Sequence, residues 1–113
     1  MIGTDIEEIR RIERIGRDKP NLLRRLFFPE EWAHALTKPN PWQTLTGIWC
    51  AKEAVWKACS NRAKFGVRDV CIRHRPSGRP EVWIAGLDWS EGIEVSISHT
   101  AKYAVAVALG LTA

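Results

Sequence analysis

The sequence predicts an α+β fold in which a long helix packs across an antiparallel sheet. Two observations carry this. Helical spacing of apolar residues dominates the chain up to Ser60, strand-type alternation dominates after Gly66, and only a short strand precedes the helices. Alanine at 104, 106 and 108 then leaves one face of the last strand small, so a helix can approach it closely.

Residues 1 to 4 read as the tail of a short strand. From Asp5 the isoleucines Ile6, Ile9, Ile12 and Ile15 recur every third residue, which marks one face of a helix that Gly16 ends. Thr4 with Glu7, or Asp5 with Glu8, fits a capping box at its start. The opposite face carries Arg10, Arg11 and Arg14, with Glu7 placed to pair with Arg11 one turn later. Residues 21 to 36 form two short helices broken at Phe28-Pro29, where proline suits a first helical turn.

Asn40-Pro41 caps and opens the longest helix, which runs to about Ser60 across a tolerated Gly47. Leu45, Ile48, Trp49, Val55, Trp56 and Cys59 fall on one stripe of it, as a helix lying on a sheet requires. Lys52 interrupts that stripe, and a buried ammonium needs a partner or a path to the surface. After Gly66, Val70 and Ile72 alternate with polar residues, and the turn Pro76 to Pro80 leads into Glu81 to Ala85 as a hairpin. In a second hairpin Ile93, Val95 and Ile97 share a face, His99 to Lys102 turn, and Tyr103, Val105, Val107 and Leu109 return.

At 113 residues the chain fits a single domain, 1–113, with one core. Its 45% hydrophobic and 27% charged content excludes a disordered, collagen-like or disulfide-stapled chain. The longest uncharged run, Tyr103 to Ala113, is shorter than the ~18–20 residues of a membrane span, so no membrane partner is expected. No basic segment followed by an apolar one opens the chain, which predicts a cytoplasmic protein. Three cysteines without a Cys-x-x-Cys pair predict neither disulfides nor a zinc site.

The net charge of +4 favours an acidic partner: nucleic acid, a phosphorylated cofactor or an acidic protein. The basic run Arg62, Lys64, Arg68, Arg73, Arg75 and Arg79 has no nucleic-acid recognition motif with it, so nucleic acid is not expected.

Three spots combine charge with ordered structure: Asp5 with Glu7 and Glu8, Lys52-Glu53 with Lys57, and Ser96-Ile97-Ser98-His99-Thr100. Carboxylates from two segments can hold Mg²⁺, which takes hard oxygen ligands and completes its shell with water and substrate phosphates; Asp5 and Glu53 are the candidates. Glu53 and Lys57, spaced i, i+4, share a helix face, so the lysine can meet a phosphate beside the metal. The plain alternative is a surface ion pair contributing a few tenths of a kcal/mol. His99 either donates to a phosphate or caps its hairpin; His34 and His74 read as surface residues.

The chain resembles the 4′-phosphopantetheinyl transferases, specifically the short holo-acyl-carrier-protein synthase type, over nearly its whole length. Gly3-Thr4-Asp5-Ile6-Glu7-Glu8-Ile9 is similar to the family's opening Gly-x-Asp-Ile motif, and Trp49 to Lys57 to its Lys-Glu-Ala-x-x-Lys helix. Gly78-Arg79-Pro80 is similar to its Gly-Lys-Pro turn, and Ser96 to Thr100 completes the set in family order. The resemblance implies the family's fold and transfer of phosphopantetheine from coenzyme A to a serine of an apo acyl carrier protein, as in fatty acid biosynthesis, with Mg²⁺ required and 3′,5′-ADP released.

By the same resemblance Asp5, Glu53 and Glu7 or Glu8 bind the metal, Lys57 the pyrophosphate, and Glu53, or a water it orients, accepts the serine proton. Ser98, His99 and Thr100 hold the 3′-phosphoadenosine end of coenzyme A, Lys52 meets nucleotide phosphates or a carboxylate, and Arg10, Arg11 and Arg14 face the acidic carrier protein. A homotrimer is implied, with metal ligands from one protomer and the His99 segment from its neighbour.

The chain departs from the short type at Ile48 and Trp49, where arginine and phenylalanine are usual, and at Asn61 to Gly66, which replaces a Gly-Thr-Gly loop. These departures keep a second reading open, a non-catalytic homologue that binds coenzyme A or a carrier protein.

Overall fold

A computed structural model describes residues 1–88 and 92–110; the end of the uncharged run, at 111–113, lies outside the described residues. Strand β1 (Ile2–Glu8) leads into α1 (Ile9–Asp18), followed by α2 (Pro20–Arg25), α3 (Pro29–Leu36) and the long α4 (Pro41–Cys59). A short 3₁₀ turn (Val67–Asp69) precedes the hairpin β2 (Val70–His74) and β3 (Pro80–Ile84), and β4 (Ile93–His99) and β5 (Tyr103–Gly110) complete the order.

The strands form two ladders rather than one: β1-β5-β4 and β2-β3, all neighbours antiparallel. Helix α4 lies across the first. Ala104, Ala106 and Ala108 are fully buried beneath it, as the small side chains predict. Gly3 on β1 has the same purpose: a Cβ there would strike the Ala54 carbonyl oxygen and sit 2.7 Å from the Ala58 nitrogen. The opposite face of the sheet is uncovered and apolar, with Ile2 and Ile6 on β1 and Tyr103, Val105, Val107 and Leu109 on β5 exposed.

The expected helix from Asp5 is a strand as far as Glu8. Period-two alternation prevails: Gly3, Asp5 and Glu7 lie opposite Ala108, Ala106 and Ala104, so the acids share the face that α4 covers. Neither capping box forms, because the Thr4 hydroxyl donates to the Ala106 carbonyl at 3.0 Å and Glu7 accepts from Arg11. Gly16 does not end α1, which runs on to Asp18; a Cβ there would strike the Trp42 ring and come within 2.9 Å of Leu23. The Asn40 side chain caps α4 through the Gln43 N–H as expected. Leu45, Ile48, Val55 and Cys59 of the stripe are buried, whereas Trp56 is exposed and donates to the Phe65 carbonyl.

Candidate active site

Strand β1 and helix α4 bring Asp5, Glu7, Glu53 and Lys57 to one place. The Lys57 ammonium donates to Asp5 Oδ1 and to the Thr4 carbonyl, each at 3.1 Å, which ties the end of α4 to the strand. Burial raises the Glu53 pKa, and the neighbouring Asp5 and Glu7 carboxylates raise it further against the pull of Lys57. The buried Cys50 thiol registers the same excess of negative charge: burial, then Asp5, Glu7 and Glu53, push it up to about 12.

The donor set is therefore all hard oxygen and short of cations, which fits a divalent ion such as Mg²⁺. Among the described residues no three His, Cys, Asp or Glu side chains form a ready-made cage. Mg²⁺ does not need one, since one or two carboxylates with water and substrate phosphates suffice. Glu7 also holds Arg11 at 2.5 Å, while Glu8 lies on the other face of β1. Glu7 thus stands on the same face as Asp5, and Glu8 does not.

Lys52 does not belong to this surface. It is fully buried, and its ammonium donates to Glu31 Oε1 at 2.7 Å between the rings of Phe27 and Phe28. Of the two partners open to it, the structure chooses the carboxylate, and contact with nucleotide phosphates is withdrawn. Glu31 accepts from the Phe28 N–H and the Ile72 N–H as well, both at 2.8 Å, so one carboxylate joins α3, α4 and β2. Burial raises the Glu31 pKa and lowers that of Lys52, and each charge opposes the shift of the other. Sequence reasoning missed Glu31, although a lysine in an apolar stripe demands an acid and Glu31 stands at a capping position of α3.

A second feature lies away from the carboxylates. A cavity of about 520 Å³ is lined by His34, Lys38, Gln43, Ile48, His74 and His99 among others, and by none of Asp5, Glu7, Glu53 or Lys57. Of Ser96 to Thr100, Ser96, Ile97 and His99 line this cavity. Ser98 lies on the other side of β4, opposite Val105 on the uncovered face, and the Thr100 hydroxyl accepts from the Lys102 and Tyr103 N–H groups in the turn. His34 and His74 are not free surface side chains; their rings stack at 3.7 Å. Arg10, Arg11 and Arg14 lie exposed on α1, Arg11 paired with Glu7.

Residues 1–108 match the family model of the 4′-phosphopantetheinyl transferase superfamily. The chain belongs to that superfamily. Curated relatives of this transferase are of the short type: a holo-[acyl-carrier-protein] synthase of Caldanaerobacter subterraneus is 37% identical over 98% of this chain and 94% of its own. One of Moorella thermoacetica is 39% identical over 95% and 90%. Among solved structures, the Helicobacter pylori holo-[acyl-carrier-protein] synthase in complex with coenzyme A has a TM-score of 0.79 at 30% identity, covering 96% of this chain and 98% of that one. The chain is thus a transferase of the short type, and no helix among its described residues is long and apolar enough to cross a membrane.

Proposed function

We propose that this transferase moves 4′-phosphopantetheine from coenzyme A to a serine hydroxyl of an apo acyl carrier protein, releasing 3′,5′-ADP, in the cytoplasm and with residues 1–113 as one domain. The observation that carries it is the cluster of Asp5, Glu7 and Glu53 around the Lys57 ammonium. Asp5, Glu53 and Glu7 would hold Mg²⁺, which when bound supplies positive charge to the pyrophosphate oxygens. Lys57, held beside Asp5, adds an ammonium for the same oxygens. The serine oxygen attacks the phosphorus nearer pantetheine, the bond to the ADP phosphate breaks, and Glu53 takes the serine proton.

The distribution of features supports a homotrimer with shared sites. The carboxylates and the histidine-lined cavity do not meet within one chain, and the uncovered row of Ile2, Ile6, Val105, Val107 and Leu109 is an apolar surface that a second copy would bury. His99 would then reach the 3′-phosphoadenosine end from a neighbouring protomer. Val107→Glu is expected to yield monomers by light scattering and to lose activity; an active monomer would contradict shared sites.

Arg10, Arg11 and Arg14 present a positive face suited to an acidic carrier helix. Replacing Arg10 or Arg14 by alanine is expected to raise KM for the carrier by about two- to fivefold, an effect that added salt diminishes. Chromatographic detection of 3′,5′-ADP, with EDTA as control, tests the reaction. Coenzyme A binding without release of 3′,5′-ADP on any apo carrier would favour the non-catalytic homologue.

A further inference from the structure

The cavity between α3, α4, the β2-β3 hairpin and β4 has an unusual wall. His34 of α3 and His74 of β2 stack with ring centroids 3.7 Å apart and planes 5° from parallel. Lys38 and His99 line the same cavity, and among the described residues no Asp or Glu does. Ile48, on the α4 side, contributes no charge. The His74 Nδ1 atom is buried and has no hydrogen-bond partner among the described residues, a costly arrangement unless an incoming group or proton relieves it.

Other charged groups near the pair are engaged or turned away from the cavity. Glu30, one turn before His34, lies with Arg73 on the outer side of the two rings, and these two pair at 3.2 Å. Arg73 also stacks on Trp83. Arg75, which follows β2, pairs with Glu81 of β3. On the cavity side, among the described residues, Lys38 and His99 are the ionisable groups that share the lining with the two histidines, so the free cavity is electropositive even with both rings neutral.

We propose that the stacked His34–His74 pair, with Lys38 beside it, is a phosphomonoester-binding element whose occupation takes up one proton. Two imidazolium rings at this separation repel, whereas one charged ring on a neutral one is tolerated; the pair therefore stores a single proton. In the free protein burial, then Lys38, lowers the pKa of His34, and burial, then His34 and Lys38, pushes His74 down to about 4, so both are neutral near neutral pH. A phosphate dianion reverses the local potential and stabilises the charged ring. Resting on the reading of this chain as a coenzyme A enzyme, the phosphomonoester is the 3′-phosphate of coenzyme A, and 3′-dephospho-coenzyme A is the probe that lacks it.

Calorimetric titration at about pH 6 and about pH 8, in buffers of different ionisation enthalpy, tests this. Wild-type protein is expected to bind coenzyme A about five- to tenfold more tightly at the lower pH with proton uptake, and 3′-dephospho-coenzyme A without that linkage. His34→Gln and His74→Gln each flatten the dependence; the phosphate's own second ionisation acts on all variants alike. NMR titration of the histidine rings in the wild type gives an answer that needs no variant: the His74 midpoint rises when coenzyme A is added. Linkage that persists with both histidines replaced, or a His74 midpoint that coenzyme A leaves in place, overturns the proposal while leaving the enzyme reading intact. Failure of coenzyme A to bind at either pH overturns both.

Discussion

Glu53→Gln is expected to abolish turnover and leave the fold intact. Losing the proton acceptor alone costs about 10²–10⁴-fold, and loss of a metal ligand adds to it. The amide occupies the volume of the carboxylate, and removing one charge relieves repulsion with Asp5 and Glu7, so the thermal midpoint stays level or rises. Glu13→Gln is the control: Glu13 pairs with Arg17 on the exposed side of α1, and its loss is expected to change little. Steady-state rates with coenzyme A and an apo carrier, beside a melting curve, check both. Wild-type turnover by Glu53→Gln would sink the assignment.

The largest effect on stability is expected at the buried pair. Glu31→Leu leaves the Lys52 ammonium without its anion and orphans the Phe28 and Ile72 N–H groups, at a cost of about 3–5 kcal/mol. Lys52→Met is milder, because Glu31 can take a proton and keep both backbone bonds. Its cost depends on pH in a definite sense. Without Lys52, burial holds the folded-state pKa of Glu31 above its unfolded value, so the folded protein binds the extra proton. Stability is then best below the unfolded pKa and is lost as pH rises through the folded one. Denaturant melts of Lys52→Met from acid to neutral pH are expected to decline relative to wild type, and a parallel course would contradict the pairing. Replacing both partners by apolar residues should recover only the part due to the unpaired ammonium, since the Phe28 and Ile72 N–H groups stay without their acceptor.

Most of the fold is legible in the sequence where a pattern is strong and local. The breaks at Phe28-Pro29 and Asn40-Pro41, the apolar side of α4 and the alanine face of β5 all depend on nearest-neighbour rules, and the structure places them as read. The start of α1 is read four residues too early because Ile6 fits both a period of three and a period of two. Pairing of β1 with β5 over its whole length decides for the strand, and that ladder involves residues about a hundred positions away. Gly16 misleads for a related reason: it is small for the sake of Trp42, a tertiary contact with no local signature.

The candidate site was legible in its acids and in Lys57, since motif residues carry their own chemistry. Its supports were not. Glu31 and the His34–His74 pair are formed by elements distant in sequence, and only Lys52 hinted that one of them had to exist.

The central claim is transfer of phosphopantetheine at the cluster of Asp5, Glu7, Glu53 and Lys57. Intact-protein mass spectrometry of a panel of apo acyl carrier proteins, incubated with this protein, coenzyme A and Mg²⁺ against an EDTA control, tests it most directly. The expected result is a metal-dependent gain of one phosphopantetheinyl group on at least one carrier, absent with Glu53→Gln. No gain on any carrier from folded protein, or an undiminished gain with Glu53→Gln, would contradict the account.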